Sequence, residues 1–385
     1  MRIVRVCGLI LLTALVSAEL THADGTEALL NQIKAVNAKG AGHREAQSAL
    51  RELQGADASA LLPILRASND ANPLALNWLR AAFETIADRT LKAGRPLPFN
   101  ELEAFIRDTS HASRVRRLAY EWLIKVDPSA PDRLIPGMLD DPSEELRRDA
   151  VARLIAAAQQ AAQDGDKAQS QATWRQALGG AVDEDQVNAI VAGLKELGDE
   201  VDLVGHFGML MEWKLIGPFD NKDMKGFDMA YPPERELNFR ATYEGQLGPV
   251  QWQPYISDKP DGLFDIGELV FNHKGSVMYA TTTFISGEKQ DVEFRLATPN
   301  AWKLWLNGEL LFAREEYHRG MLFDQYRVRG SLRAGDNVLL LKVLQNEQEQ
   351  DWAQDYEFKF RVTDFSGRAI HPSDARRAER GDANR

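Results

Sequence analysis

Four oxygen-bearing side chains crowd one short stretch of this 385-residue chain: Asp220, Asn221, Asp223 and Asp228. Clustered carboxylate and amide oxygens are ligands for a hard cation, and Ca²⁺ is the ion such a set would take, although the spacing matches no defined calcium loop. A second set, Trp305, Tyr317, Tyr326, Asn346, Glu347, Asp351 and Trp352, mixes flat aromatic rings with amides and carboxylates. Rings that carry a ligand together with polar groups that orient it make a binding surface, so these residues are candidates for holding a pyranose.

Catalytic residues do not emerge. The chain has no HExxH, no GxSxG and no glycine-rich phosphate loop. Its 57 acidic residues pair everywhere, and nothing marks two of them as a glycosidase dyad. His206, His273, His318 and His371 are scattered, and His43 and His111 stand alone beside polar turn residues. His206, in Gly205-His206-Phe207-Gly208, reads as a joint residue just ahead of a change in pattern.

That change falls at Glu212–Glu234. Upstream, Ala and Leu recur at helical spacings; downstream come short alternating runs of Val, Phe, Tyr, Trp and Thr. Within the stretch, Trp213, Leu215 and Ile216 read as a strand and Gly217 to Asn221 as a turn. Tyr231-Pro232-Pro233 reads as extended, since each proline biases the residue before it away from helix.

The N-terminus reads as a secretory signal peptide over residues 1–18: a basic start, an apolar run from Val6 to Val16, and small residues before Glu19. The apolar run is short for a bilayer span, so no membrane span is expected once the signal is removed. The single cysteine, Cys7, lies inside that signal, which leaves the mature chain without a disulfide or a thiolate. A periplasmic or secreted protein fits this pattern. A net charge of -11 with no basic tract argues against nucleic acid.

Between residues 25 and 200 four segments repeat one motif: a small residue followed four later by a large one. They are Ala46/Leu50, Ala82/Ile86, Ala119/Leu123 and Ala150/Leu154. Arg80, Arg117 and Arg148 each stand two positions ahead of the alanine. Small residues let paired helices approach and large ones fill the seam, so the pairs must stack to bury their stripes. This half resembles a short HEAT-type or Armadillo-type solenoid, with Lys167–Leu178 and Asp183–Leu197 as two further helices. Trp78, Trp122 and Trp174 read as core or groove lining.

In the second half, Val277–Phe284, Val292–Leu296, Val338–Val343 and Tyr356–Val362 alternate as strands. Trp302–Leu306 and Glu309–Phe312 flank Asn307-Gly308, the residue pair of a type I′ hairpin. Alternation gives Trp302, Leu304 and Leu306 one face and Lys303, Trp305, Leu310 and Phe312 the other. Both faces carry aromatics, so the second must contact the helical half, a partner or a glycan.

The segments LWLNGELLF, LRAGDNVLLLKV and DYEFKFRVTDFSGRAI resemble galactose-binding-like jelly rolls, such as the non-catalytic N-terminal domain of family 2 glycoside hydrolases. HFGMLMEWKLIGPFDN with GFDMAYPPE resembles a recurrent stretch of large secreted planctomycete-type proteins, where helical repeats precede such a sandwich. The resemblance implies a fold and transfers no binding residue.

The expected architecture is therefore an α + β multidomain chain: an N-terminal α-solenoid of helical repeats, then an antiparallel jelly-roll-like β-sandwich. Its expected divisions are a signal at 1–18, repeats at 25–200, a connector and first strand at 201–234, the sandwich at 235–371 and a disordered tail at 372–385. The expected function is that of an exported, non-catalytic interaction or scaffold protein binding a protein partner or surface polymer. The alternatives are a carbohydrate-binding protein accessory to polysaccharide degradation, and a hydrolase with an interdomain site.

Overall fold

The computed structural model describes residues 25–373; the signal segment at 1–18 and residues 374–385 of the tail lie outside them. The described residues fall into two compact units. One reaches to Gln160 and includes Gln176–Ala181; the other comprises Ala161–Arg175 and the chain from Val182 on.

The first unit is helical. Its elements are α1 (residues 25–34), α2 (His43–Leu53), α3 (Leu61–Ser68), α4 (Pro73–Lys92), α5 (Phe99–Arg107), α6 (Ser113–Val126), α7 (Ala130–Leu134) and α8 (Glu144–Gln163). Sequence explains where these helices begin. Asn72 caps α4 by accepting from the backbone N–H of Leu74 and Ala75, both at 3.0 Å, and Pro73 at the first helical position has no N–H to satisfy. Helix α3 packs on α4 and α5 on α6. The four alanines of the repeated motif, Ala46, Ala82, Ala119 and Ala150, are all buried, as are Ile86 and Leu123.

Two of the arginines ahead of those alanines, Arg80 and Arg117, link successive copies. Arg80 lies 3.8 Å from Glu121, and Arg117 pairs with Glu145 and Asp149. Deeper in, Arg116 is fully buried and holds both carboxylate oxygens of Asp141, at 2.8 and 2.6 Å.

The second unit opens with the first part of α9 (Lys167–Gly180), α10 (Glu184–Glu196) and α11 (Leu203–Phe207). Gly193 of α10 lets the Trp174 ring lie where a Cβ would be only 2.4 Å away.

Then come twelve strands: β1 (Glu212–Asp220), β2 (Tyr243–Gly245), β3 (Gly248–Val250), β4 (Gln253–Ile256), β5 (Phe264–Asp265), β6 (Ser276–Ser286), β7 (Gln290–Ala297), β8 (Ala301–Leu306), β9 (Glu309–Arg314), β10 (Tyr326–Leu332), β11 (Gly335–Gln345) and β12 (Glu357–Thr363). Six of them form a sheet in the order β4-β1-β6-β11-β8-β9, and four form a second, β10-β7-β12-β5, with β2 and β3 as a separate ribbon. Every pairing is antiparallel. One core lies between the two sheets and draws Trp213, Met278, Trp302, Leu304 and Leu341 from the first and Phe294, Phe358 and Phe360 from the second. This is a β-sandwich.

The outer face of the six-stranded sheet carries a second apolar cluster, in which Ile216, Phe219, Tyr279, Trp305, Leu340 and Leu344 are buried. What covers it is this chain's own loop from Asn221 to Val250: Phe227, Tyr231, Leu237, Tyr243 and Val250 pack onto it. The aromatic outer face thus finds a partner within the same unit, where alternation alone required one from elsewhere.

Three local expectations need correction. Strand β1 runs on through Gly217 and a cis Gly217–Pro218 bond to Asp220, and the turn starts at Asn221. Its register against β6 shifts between Ile216 and Phe219, and a bulge is where a sheet tolerates a proline. Tyr231 is extended as expected, but Pro232 and Pro233 start a helical turn, α12 (Pro232–Arg235), because the φ that proline fixes also suits a first helical turn. In the β8–β9 hairpin a bulge between Leu304 and Trp305 sets Leu304 opposite Phe312 and Trp305 opposite Leu310. Phe312 therefore turns inward and stacks on Trp302 at 4.8 Å, while Trp305 stays on the outer face.

Candidate functional site

The end of strand β1, the loop before β10 and the loop after β11 meet at one rim of the sandwich. Asn221 ties them together from a fully buried position. Its Nδ2 donates to the Tyr317 hydroxyl at 3.2 Å and to the Gln345 carbonyl at 3.0 Å, and its backbone N–H donates to Gly275 at 2.8 Å. Burial pushes the Tyr317 hydroxyl up to about 12, so it stays protonated at any physiological pH.

The next residue, His318, has a positive φ of 57° and its backbone N–H is held by the Pro299 carbonyl at 2.6 Å. Its Nε2 lies 2.7 Å from Asn346 Oδ1, which also accepts from the Gln348 backbone N–H at 3.1 Å. An amide oxygen only accepts, so Nε2 carries a proton. Against this ring stands Trp352, edge to face with centroids 5.3 Å apart, and 61% exposed.

The loop that carries Trp352 is pinned from beneath. Lys274 Nζ donates to Ala353 O at 2.5 Å, and Asn272 Nδ2 donates to Gln354 O. Phe271, 43% exposed and 5.4 Å from His273, sits on the same supporting loop. Glu347 accepts from the Asp223 backbone N–H at 3.0 Å. Its side chain passes Gly275 (φ 60°) so closely that a Cβ there would be 2.9 Å from Glu347 Cγ. Asp351 opens the 3₁₀ turn Asp351–Ala353 and is exposed.

Five of the seven aromatic and polar candidates, Tyr317, Asn346, Glu347, Asp351 and Trp352, thus gather at this rim. Tyr326 does not: it packs against Trp302 and Phe312, at 5.1 and 6.2 Å, along the margin between the sheets. Trp305 lies on the outer face of the six-stranded sheet, where it lines a cavity of about 310 Å³.

The four oxygen-bearing candidates for a cation do not converge on one point. Asp220 accepts from the Lys222 N–H at 2.9 Å. Asp223 pairs with Lys225 at 2.9 Å, and that contact holds its carboxyl below the usual range. Asn221 anchors the rim and Asp228 is exposed. Among the described residues no group of three or more His, Cys, Asp or Glu is placed to hold a metal ion.

Sequence reasoning missed one constellation. Lys342, on the outer face of β11, is fully buried; its Nζ donates to Glu234 at 2.7 Å and to the carbonyls of Met229 and Phe227 at 2.8 and 3.2 Å. The Tyr279 hydroxyl donates to the same Glu234 carboxylate. Burial lowers the lysine from its ordinary value, with Glu234 opposing, and raises the tyrosine. A signal was present: Leu340 and Leu344 flank Lys342 on its own face, so that face had to be covered.

No protein-family model and no curated protein matches the chain. Among solved structures it is similar to a β-glucosidase from Kluyveromyces marxianus in complex with glucose, with 14% identity over 49% of this chain and a TM-score of 0.26. The match spans 22% of that β-glucosidase. It is also similar to the epithelial adhesin 9 A domain from Candida glabrata in complex with Galb1-4GlcNAc, with 12% identity over 44% of this chain and 92% of the adhesin domain, TM-score 0.22. A GH31 α-xylosidase from Xanthomonas citri gives 10% identity over 40% of this chain and 16% of the xylosidase, TM-score 0.19. Likeness this slight carries no argument about activity.

Proposed function

We propose that the protein is an exported, non-catalytic carbohydrate-binding protein whose sandwich rim takes a saccharide. The observation that carries this reading is Trp352. A largely exposed indole leaves apolar area in water at a cost of about 25 cal/mol per Å², and this one is held in place by His318, itself fixed by Asn346. Around it stand the His318 imidazole and the exposed carboxylates of Glu347 and Asp351, polar groups of the kind that orient a hydroxylated ring on an aromatic platform.

The finer architectural readings belong with this proposal. The helical unit is taken as a short HEAT-like array, supported by the buried alanines and the arginines that bridge successive copies. The sandwich is taken as a galactose-binding-like jelly roll, with the divisions at 25–200, 201–234 and 235–371. Export rests on the signal-like N-terminus; no helix of the described residues is long and apolar enough to cross a membrane. A second reading, an interaction scaffold for a protein partner, is favoured by Trp122 of the helical unit. It lines a shallow hollow with Glu84, Asp88 and Arg89, and Lys125 stands 3.6 Å over its ring.

A glycan array probed with the mature protein tests the main reading. Binding to a defined oligosaccharide that Trp352→Ala abolishes, with the melting temperature unchanged, is the expected result. An array with no binding, or binding that Trp352→Ala leaves intact, removes the rim from the account.

A further inference from the structure

Away from the rim, the cavity beside Trp305 has a charge pattern that a neutral ligand does not need. Trp305 and Leu340 form its apolar wall, and Glu234, Arg235, Glu236 and Arg333 supply its charges. The charges do not cancel. Glu234 is matched by Lys342 at 2.7 Å and also accepts from the Tyr279 hydroxyl. Arg235 donates to the Ala230 carbonyl at 3.2 Å and Arg333 to the Asp336 carbonyl at 2.8 Å. Neither guanidinium enters an ion pair among the described residues. Two guanidinium groups therefore share a wall with one unmatched carboxylate, Glu236, and the excess is positive.

The indole adds direction. Among the described residues the Trp305 Nε1–H finds no acceptor, and unlike the indole N–H groups of Trp252 and Trp302 it is not sealed from solvent. Trp305 is 8% exposed and so shows the cavity an edge that carries a free donor; flanked by guanidinium forks that pair with a carboxylate in two-point geometry, that edge describes one class of small ligand.

We propose that this cavity binds a carboxylate-bearing pyranose, a uronate, with a sugar hydroxyl accepting from the indole N–H at the exposed edge of Trp305 and the carboxylate taken by Arg333 and Arg235. The cavity is at the small end of ligand sites, which suits one ring rather than an extended chain. The site is separate from the Trp352 rim and stands whether or not the rim binds sugar.

Isothermal titration calorimetry of the full chain decides it, with methyl glucuronide and methyl galacturonide as probes. Methyl glucoside, methyl galactoside and acetate serve as controls. At least one uronate binds, its neutral counterpart and acetate bind about tenfold more weakly or not at all, and Arg333→Met and Arg235→Met each weaken the uronate by about tenfold. Both arginines are exposed, so the variants keep the parent fold, which a thermal melt verifies. Trp352→Ala leaves uronate affinity unchanged, and added salt weakens it because the guanidinium groups are solvent-facing. Absence of uronate binding, equal binding of the neutral sugar or of acetate, insensitivity to both arginine substitutions, or loss in Trp352→Ala overturns the assignment.

Discussion

Glu357 shows how a single side chain senses pH in this fold. It opens strand β12 opposite Asp265, with its backbone N–H held by Asn300 Oδ1 at 3.1 Å. Burial, then the nearby Asp355 and Asp265 charges, push its carboxyl up to about 7, with Lys359 opposing. Between the ordinary carboxylate range and pH 7 the folded chain keeps a proton that the unfolded chain has released, so stability falls as pH rises through that window. Glu357→Gln removes this slope. In urea titrations the variant should gain about 1 kcal/mol over the parent at pH 8, because water still reaches the group and tempers the effect, and the gain should vanish below pH 4.5. A gap that stays constant with pH would show that burial does not perturb this carboxyl. Such a group was illegible in sequence, since Glu357 reads as an ordinary wet-face residue between Tyr356 and Phe358. Lys342 was legible only in part: Leu340 and Leu344 on its face required a cover, but strand alternation does not say that a loop 108 positions upstream supplies it.

Elements were more legible, because the signals that define them are local. The β8–β9 hairpin was readable from Asn307-Gly308, and both residues have positive φ, 52° and 87°. The bulge that turned Phe312 inward carries no such signal, because it answers to the packing of Trp302. Asn307 does more than bend the chain: its Oδ1 accepts from the Val338 N–H at 2.9 Å and its Nδ2 meets Asn337 Oδ1 at 3.1 Å, tying the turn to β11. Two costs can thus be separated. Asn307→Gly keeps the conformational ease and loses the side-chain bonds, while Asn307→Ala loses both. The glycine variant should be destabilised by about 1 kcal/mol and the alanine variant by about 2 kcal/mol, read from denaturant midpoints. Equal losses would mean that the positive φ contributes nothing at this turn. Turn chemistry also explains the error at Gly217-Pro218, where breakers mark a bulge inside a strand as readily as a strand's end.

At the scale of the whole molecule, the change from helical to strand periodicity near residue 212 was visible because each half must bury its own stripe. Each unit does close its own core: Leu30 to Ala150 in the helical unit, and Trp213 to Val362 between the sheets. What periodicity could not show is the buried charge inside the helical unit, since Arg116 and Asp141 look like surface residues of polar helix ends. Arg116 is fully buried and donates to Asp141 at both oxygens and to the Ile106 carbonyl at 2.7 Å. Arg147 adds a bond to the Asp141 carbonyl at 3.1 Å. Replacing Asp141 by Ala leaves a guanidinium in a dry site with no counter-charge, a loss of about 3–5 kcal/mol. Since that core belongs to one unit, the loss should appear as an earlier melt in the far-ultraviolet helical signal. The near-ultraviolet signal is mixed, since Trp78, Trp122 and Trp174 lie on helices, so indole fluorescence from a Trp78→Phe/Trp122→Phe/Trp174→Phe background isolates the sandwich. In that background Asp141→Ala should leave the fluorescence midpoint within about 2 °C of its parent, while the helical midpoint drops by more than about 6 °C. Joint movement of the two midpoints would mean that the units unfold as one body, and an unmoved helical midpoint would mean that Asp141 is not what keeps Arg116 in the core.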